Sequence, residues 1–205
     1  LHSGQPQGNI KEIEVVSMKD PLEKVGHIII KAIGEDPKRE GLVKTPERFA
    51  GALRTILSGY ERDASDVIGD ALFSSESTDP IMVLRMKFFS VCEHHLLPFF
   101  GECSIAYIPN GKILGLSKIP KLVDLFAQRL QVQEDLTHQI GTTLQEAIKP
   151  KGIAVLMSAT HLCAVMRNLQ DYDSPMITSF RRGLYKDSPE LYDEFSKAAL
   201  QNARG

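Results

Sequence analysis

The chain has 205 residues, 42% hydrophobic and 24% charged, which suits one large globular domain and excludes a disordered, collagen-like or coiled-coil chain. Twenty-four Lys and Arg against 26 Asp and Glu leave a net charge of −2, so no broad basic surface awaits nucleic acid or an anionic membrane, and any phosphate must be held locally. No segment approaches the ~18 consecutive apolar residues of a membrane span, and three Cys argue against a secreted disulfide scaffold, which together predict a cytoplasmic protein with reduced thiols.

Residues 1–19 are polar and read as a loose arm. A helical segment is predicted over 20–80. Its first helix opens at Asp20-Pro21 with Leu22, Val25, Ile29 and Ile33 on one stripe. Its second opens at Thr45-Pro46, with Phe49, Ala52, Leu53, Ile56 and Leu57 as the buried side and Gly59 as its end. Residues 81–205 form the expected main domain. Strands are predicted over 81–91 and 102–108, the latter closed by the turn Pro109-Asn110-Gly111-Lys112. Helices follow over 117–130, where Ser117 is a candidate cap, and over 133–148 on Leu136, Ile140 and Leu144. Two more strands, 153–166 and 178–185, and a helix over 190–200 close the chain. This order predicts an α+β fold with an antiparallel sheet covered by helices on one face.

The sharpest local feature is Cys92-Glu93-His94-His95, followed 66 residues after His95 by His161-Leu162-Cys163. One turn can aim Cys92 and His95 at the same ion, and two residues apart on a strand put His161 and Cys163 on one face. Such a soft nitrogen and sulfur set suits Zn²⁺ better than Mg²⁺ or Ca²⁺. With Cys92, His95 and Cys163 alone as ligands, a fourth position stays open, and His94 and His161 are free for proton transfer. The same residues also read as packed core Cys and His, or as a Cys92–Cys163 disulfide, which the odd thiol count opposes. Cys103 reads as a small buried hydrophobe. A second group joins Ser117-Lys118, at a helix start suited to an anion, with Gln133-Glu134, whose carboxylate can accept two hydrogen bonds from a guanine-like edge. Each alone also reads as a cap, a solvated charge or a first-turn acid, and Arg48, Lys121, Arg167, Arg181 and Arg182 as surface charges.

Taken together, Cys-Glu-His-His, Gly-Leu-Ser-Lys, Arg-Leu-Gln-Val-Gln-Glu and His-Leu-Cys-Ala-Val-Met-Arg, in this order, closely resemble the GTP cyclohydrolase I family. The likeness runs from about Pro21 to Leu200 and includes Lys44-Thr45-Pro46-Glu47-Arg48 and Thr178-Ser179. The resemblance implies a tunnelling fold, in which sheets of several subunits join into a barrel, as a decamer of two pentamers with shared active sites. It implies conversion of GTP and water to 7,8-dihydroneopterin triphosphate and formate, a first step toward folate or tetrahydrobiopterin. By motif match, Cys92, His95 and Cys163 hold Zn²⁺, and Glu134 holds the guanine edge aided by Gln133. Lys118, Lys121, Arg48 and Arg167 face the triphosphate, His94 and His161 are the acid–base pair, and Ser117 lies near the ribose. These residue types suit the reaction, because zinc makes water a nucleophile near neutral pH and His titrates there. A catalytically silent relative with structural zinc and a same-fold reductase of deazaguanine nitriles are the alternatives, and the Cys92, His95 and Cys163 set speaks against the second. Two positions depart from the family pattern. Lys121 stands where Arg is usual and loses the planar fork, and Asn168 stands where Gly is usual, with a shift of the backbone after Arg167 expected.

Overall fold

The structure, a computed structural model, describes residues 20–201, so the arm expected over 1–19 lies outside the described residues. They divide into two units, the first ending at Thr55 and the second beginning at Ile56. In the first, Asp20 caps helix α1 (Pro21–Ala32) by accepting from the Leu22 N–H at 2.9 Å. Helix α2 (Thr45–Ile56) returns Arg54 to the same carboxylate at 2.6 Å, and this hydrogen bond holds Asp20 below the usual carboxylate range. The expected apolar stripes are corrected here. α1 buries Gly26 and Ile30, while Val25, Ile29 and Ile33 are exposed. Gly26 is the cause: a Cβ there would sit 3.1 Å from the Phe49 ring and from the Pro46 Cα, so the glycine face is the one that admits α2. α2 correspondingly buries Pro46 and Ala50, with Phe49 and Leu53 only half-buried and Ala52 and Ile56 exposed.

The second unit runs through a 3₁₀ turn (Ser58–Glu61), α3 (Ala64–Ile68), β1 (Leu72–Ser74), β2 (Ile81–Cys92), β3 (Pro98–Ile108), β4 (Lys112–Leu114), α4 (Lys118–Ala127), β5 (Leu130–Gln131), α5 (Gln133–Ile148), β6 (Gly152–His161), α6 (Leu162–Val165), β7 (Met176–Gly183), α7 (Leu184–Asp187) and α8 (Pro189–Leu200). The main sheet has the order β5-β2-β3-β6-β7 and is antiparallel apart from the short parallel pairing of β5 with Val91 and Cys92 of β2. β1 and β4 form a separate ribbon.

Alternation along β3 and β6 sorts the core. Cys103, Ile105 and Tyr107, with Ile153, Val155 and Met157, face α4 and α5, whose Leu122, Leu136, Ile140 and Leu144 fill the space between. The opposite parity, Ala106, Ile108, Ala154 and Leu156, is also apolar and packs under Tyr185, Phe195 and Ala199 of the C-terminal helices. Helices therefore cover both faces at this end of the sheet, a correction to the one-faced arrangement. Because both parities of β3 and β6 are apolar, these strands show little alternation in the sequence.

The strand expected over 153–166 stops at His161, and Cys163 lies on the single turn α6. That turn ends where the N–H groups of Asn168 and Leu169 donate to Val165 and Ala164 carbonyls, both at 3.0 Å, with Asn168 left-handed at φ 56°. Asn is the non-glycine residue that enters this region most readily.

Two stability predictions follow from these contacts. A Cβ on Gly141 of α5 would lie 2.3 Å from Phe180 Cδ1 of β7, so Gly141→Ala should lower stability by about 1–3 kcal/mol. Thermal unfolding should show the drop, and combination with Phe180→Leu should cost less than the two single changes added together. By the same measurement Asn168→Val should cost about 1–2 kcal/mol, whereas Asn168→Gly should leave stability near the parent value.

Candidate active site

Cys92 ends β2, and the chain turns back at once: its N–H donates to the Leu97 carbonyl and its own carbonyl accepts from the Leu96 N–H, both at 2.9 Å. Leu96 takes φ 54° to make this closure. The turn carries His95 back over Cys92, with Nδ1 3.7 Å from the Sγ. From the far side of the sheet order, β6 delivers His161 opposite Phe99 of β3, and α6 then places Cys163. One ligand atom from each of Cys92, His95 and Cys163 lies within 4.8 Å of the others. The expected convergence is thus present, although its reason differs, because Cys163 arrives on a helical turn rather than on a strand face. Both thiols are buried and His95 is exposed, and all three Cys of the chain are free. Burial raises the Cys163 thiol, with Cys92 beside it adding and Arg167 opposing. Cys103 sits in the core away from this group, its thiol pushed up by burial, as a small hydrophobe should.

Arg167 is drawn to the group. Its Nε donates to the Cys163 carbonyl at 2.6 Å and its Nη2 to His95 Nε2 at 3.2 Å. His94 is exposed, 4.0 Å from Cys92 Sγ through Nδ1, with Glu93 3.8 Å from its other nitrogen. His161 is half-buried and stacks on Phe99, ring centres 4.6 Å apart and planes 3° from parallel. Burial lowers its pKa below the usual imidazole range, and the Glu134 carboxylate partly opposes this.

Gln133 and Glu134 open α5 and point differently. Glu134 is exposed and lines a cleft of about 200 Å³ with Thr137, His138, Thr178, Ser179 and Phe180. Gln133 is 0% exposed, its amide engaged by His161, Met157, Met176 and Thr178. The expectation that it reaches a guanine edge is not met in this geometry, since no polar atom of its side chain is open to a ligand. Ser117 makes no capping hydrogen bond, and the N–H groups of Lys118 and Ile119 are spent on the Gly115 and Leu116 carbonyls. Fewer free donors remain at that helix start than expected for an anion site. Lys121 is exposed on α4, and Arg48 is exposed on α2 of the first unit. Among the described residues no hydrogen bond or ion pair joins the side chains of Ser117, Lys118 or Lys121 to the Cys–His–Cys group. Arg181 and Arg182 stack on the rings of Tyr192 and Phe180 at 4.3 and 4.4 Å.

Phe99, Thr137 and His138 escaped the sequence reading. Helical spacing carried a signal for two of them, since Thr137 is four residues after Gln133 and His138 four after Glu134.

Comparison with known proteins places this geometry. The family model described as GTP cyclohydrolase I matches residues 22–199. A GTP cyclohydrolase 1 of Campylobacter curvus is 46% identical over 178 residues, covering 87% of this chain and 94% of the relative. One of Leptospira biflexa is 47% identical over 174 residues, covering 85% and 95%, and one of Deinococcus radiodurans is 42% identical over 200 residues, covering 98% and 93%. Among solved structures, an archaeosine synthase QueF-Like in the apo form aligns with a TM-score of 0.41 at 20% identity, over 53% of this chain and 96% of that one. With a family model spanning nearly all the described residues and relatives of this similarity along most of its length, the chain belongs to the GTP cyclohydrolase I family.

Proposed function

We propose that this chain converts GTP and water to 7,8-dihydroneopterin triphosphate and formate, the entry to folate or tetrahydrobiopterin synthesis. The observation that carries this reading is the meeting of Cys92, His95 and Cys163 within 4.8 Å, two residues from His161, in a chain of this family. Two thiols and one imidazole at this separation fit Zn²⁺, and three protein donors are the number that leaves a position for water. When bound, the ion supplies the Lewis acidity that makes water a nucleophile near neutral pH.

The chain's own residues supply the rest. Glu134 stands in the first turn of α5, where the helix dipole favours its negative charge, and its two oxygens accept from the N1–H and the 2-amino group of guanine. Adenine offers no such pair of donors. His94 and His161 move the protons that imidazole-ring opening and the later rearrangement require. Arg167, held by the hydrogen bond from its Nε to the Cys163 carbonyl, faces the triphosphate with Lys118 and Lys121, and Ser117 lies near the ribose. The outer edge of β7 and most of that of β2 carry no partner strand among the described residues, which supports a homo-oligomer in which the tunnelling-fold barrel closes, as a decamer of two pentamers. No helix among the described residues is long and apolar enough to cross a membrane.

Incubation of the zinc-loaded protein with GTP should release formate and a pterin, fluorescent after oxidation, in equal amounts, and absence of both would refute the proposal. Glu134→Gln turns one acceptor into a donor facing a donor, and should lower kcat/KM about 10- to 100-fold, the equivalent of roughly 1–3 kcal/mol.

Metal analysis makes a separate prediction. Cys92→Ala and Cys163→Ala should each lose the bound zinc, and Cys103→Ala should keep it. Zinc retained at full occupancy in both of the first two variants would remove these thiols from the metal site.

A further inference from the structure

We infer that Gln133 is a positioning residue that holds His161 as its Nε2–H tautomer, so that Nδ1 is the ring nitrogen left to meet substrate. The inference rests on the proposed role of His161 in proton transfer and deepens it.

The hydrogens can be assigned around a closed circuit. Gln133 Nε2 lies 3.0 Å from the Met176 carbonyl, 3.3 Å from the Met157 carbonyl and 3.1 Å from Thr178 Oγ1. Turning the amide over would press its oxygen against two carbonyl oxygens, so the nitrogen faces them and Oε1 faces His161. The threonines give the same answer independently. Thr137 donates its single hydrogen to the Gln133 carbonyl at 2.7 Å, so across the 2.6 Å contact between the two hydroxyls Thr178 must be the donor. With that hydrogen spent, Thr178 can only accept from Gln133, which again requires the nitrogen on that side. Oε1 is therefore an acceptor at 2.9 Å from His161 Nε2, and the imidazole must donate.

Stacking on Phe99 fixes the ring plane, and Gln133 and Thr137 are fully buried, so water does not compete for these bonds. Among the described residues no hydrogen bond is made by His161 Nδ1. The circuit accepts the neutral Nε2–H form and the imidazolium alike, and excludes only the Nδ1–H tautomer. It also ties the first turn of α5 to β6 and β7, so the position of Glu134 and the tautomer of His161 are set by one residue and its neighbour.

The test separates positioning from direct binding of guanine. In the zinc-loaded Gln133→Met variant, which keeps the length and loses both polar atoms, kcat with GTP should fall by roughly 10- to 100-fold, within the range for a displaced proton-transfer group, with KM little changed. A KM that rises in proportion while kcat holds would overturn the inference and return Gln133 to the base. Solid-state ¹⁵N spectra of histidine-labelled protein, with the His161 signals identified by their loss in His161→Asn, should show Nε2 protonated and Nδ1 bare in the parent at a pH where the ring is neutral. Thr178→Ser should retain that pattern and Thr178→Val should mix the two tautomers. An Nδ1–H signal in the parent, or an unaltered spectrum in both Gln133→Met and Thr178→Val, would overturn it as well. If the parent protein does not turn over GTP, the proposed reaction fails while the spectra still decide the tautomer.

Discussion

Helix α5 can lie against the sheet only because residue 141 carries no side chain. The Phe180 ring of β7 occupies the space a Cβ would need, its Cδ1 2.3 Å from that point. Leu136, Ile140 and Leu144 then reach the inner faces of β3 and β6, and the helix start falls beside the carbonyls of Met157 and Met176. A buried amide at position 133 is tolerable there because every polar atom finds a partner, and it would be costly a fraction of a turn away. Packing in the middle of the helix and hydrogen bonding at its start thus fit one position of α5 on the sheet.

Much of this was legible in the sequence, in proportion to how local the cause is. The spacing of Leu136, Ile140 and Leu144 defined α5, with the limits Gln133 and Ile148 matching, since one buried stripe dominates that helix. The stripe of α1 was misread for an equally physical reason. Its branched residues form a good helical pattern, yet the tightest contact runs through Gly26, which apolar spacing does not score. The end of β6 was misplaced because Leu162-Cys163-Ala164-Val165 is apolar and β-like in composition, while its conformation is set by long-range pairing of β6 with β3 and by the left-handed exit at Asn168.

The group of Cys92, His95 and Cys163 presents a different balance. The residues themselves were named from Cys-x-x-His and His-x-Cys and from the family likeness, and the structure brings the same three together. Cys163 nonetheless reaches the group on a helical turn and not on the strand face that the His-x-Cys spacing implies. Ligand identity depends on side-chain chemistry, which a sequence prints directly. Delivery depends on where a strand ends, which is settled by partners far away in the chain.

The neighbours Gln133 and Glu134 show why adjacent motif residues need not share a task. Successive side chains on a helix are rotated by about 100°, so at the edge of a sheet one can be turned into the protein while the next is turned out to the cleft. Reading the pair as a single base-recognition unit ignores that rotation. The buried residue meets fixed carbonyls and an imidazole, and the exposed one meets whatever enters. An amide suits the first position because it must donate and accept at once, where a carboxylate would face carbonyl oxygens without a hydrogen to offer. A carboxylate suits the second because it stays solvated and is favoured by the dipole at a helix start. The same turn of backbone therefore holds the His161 imidazole through one residue and presents a carboxylate to the cleft through the next, and a displacement of α5 at Gly141 would disturb both together.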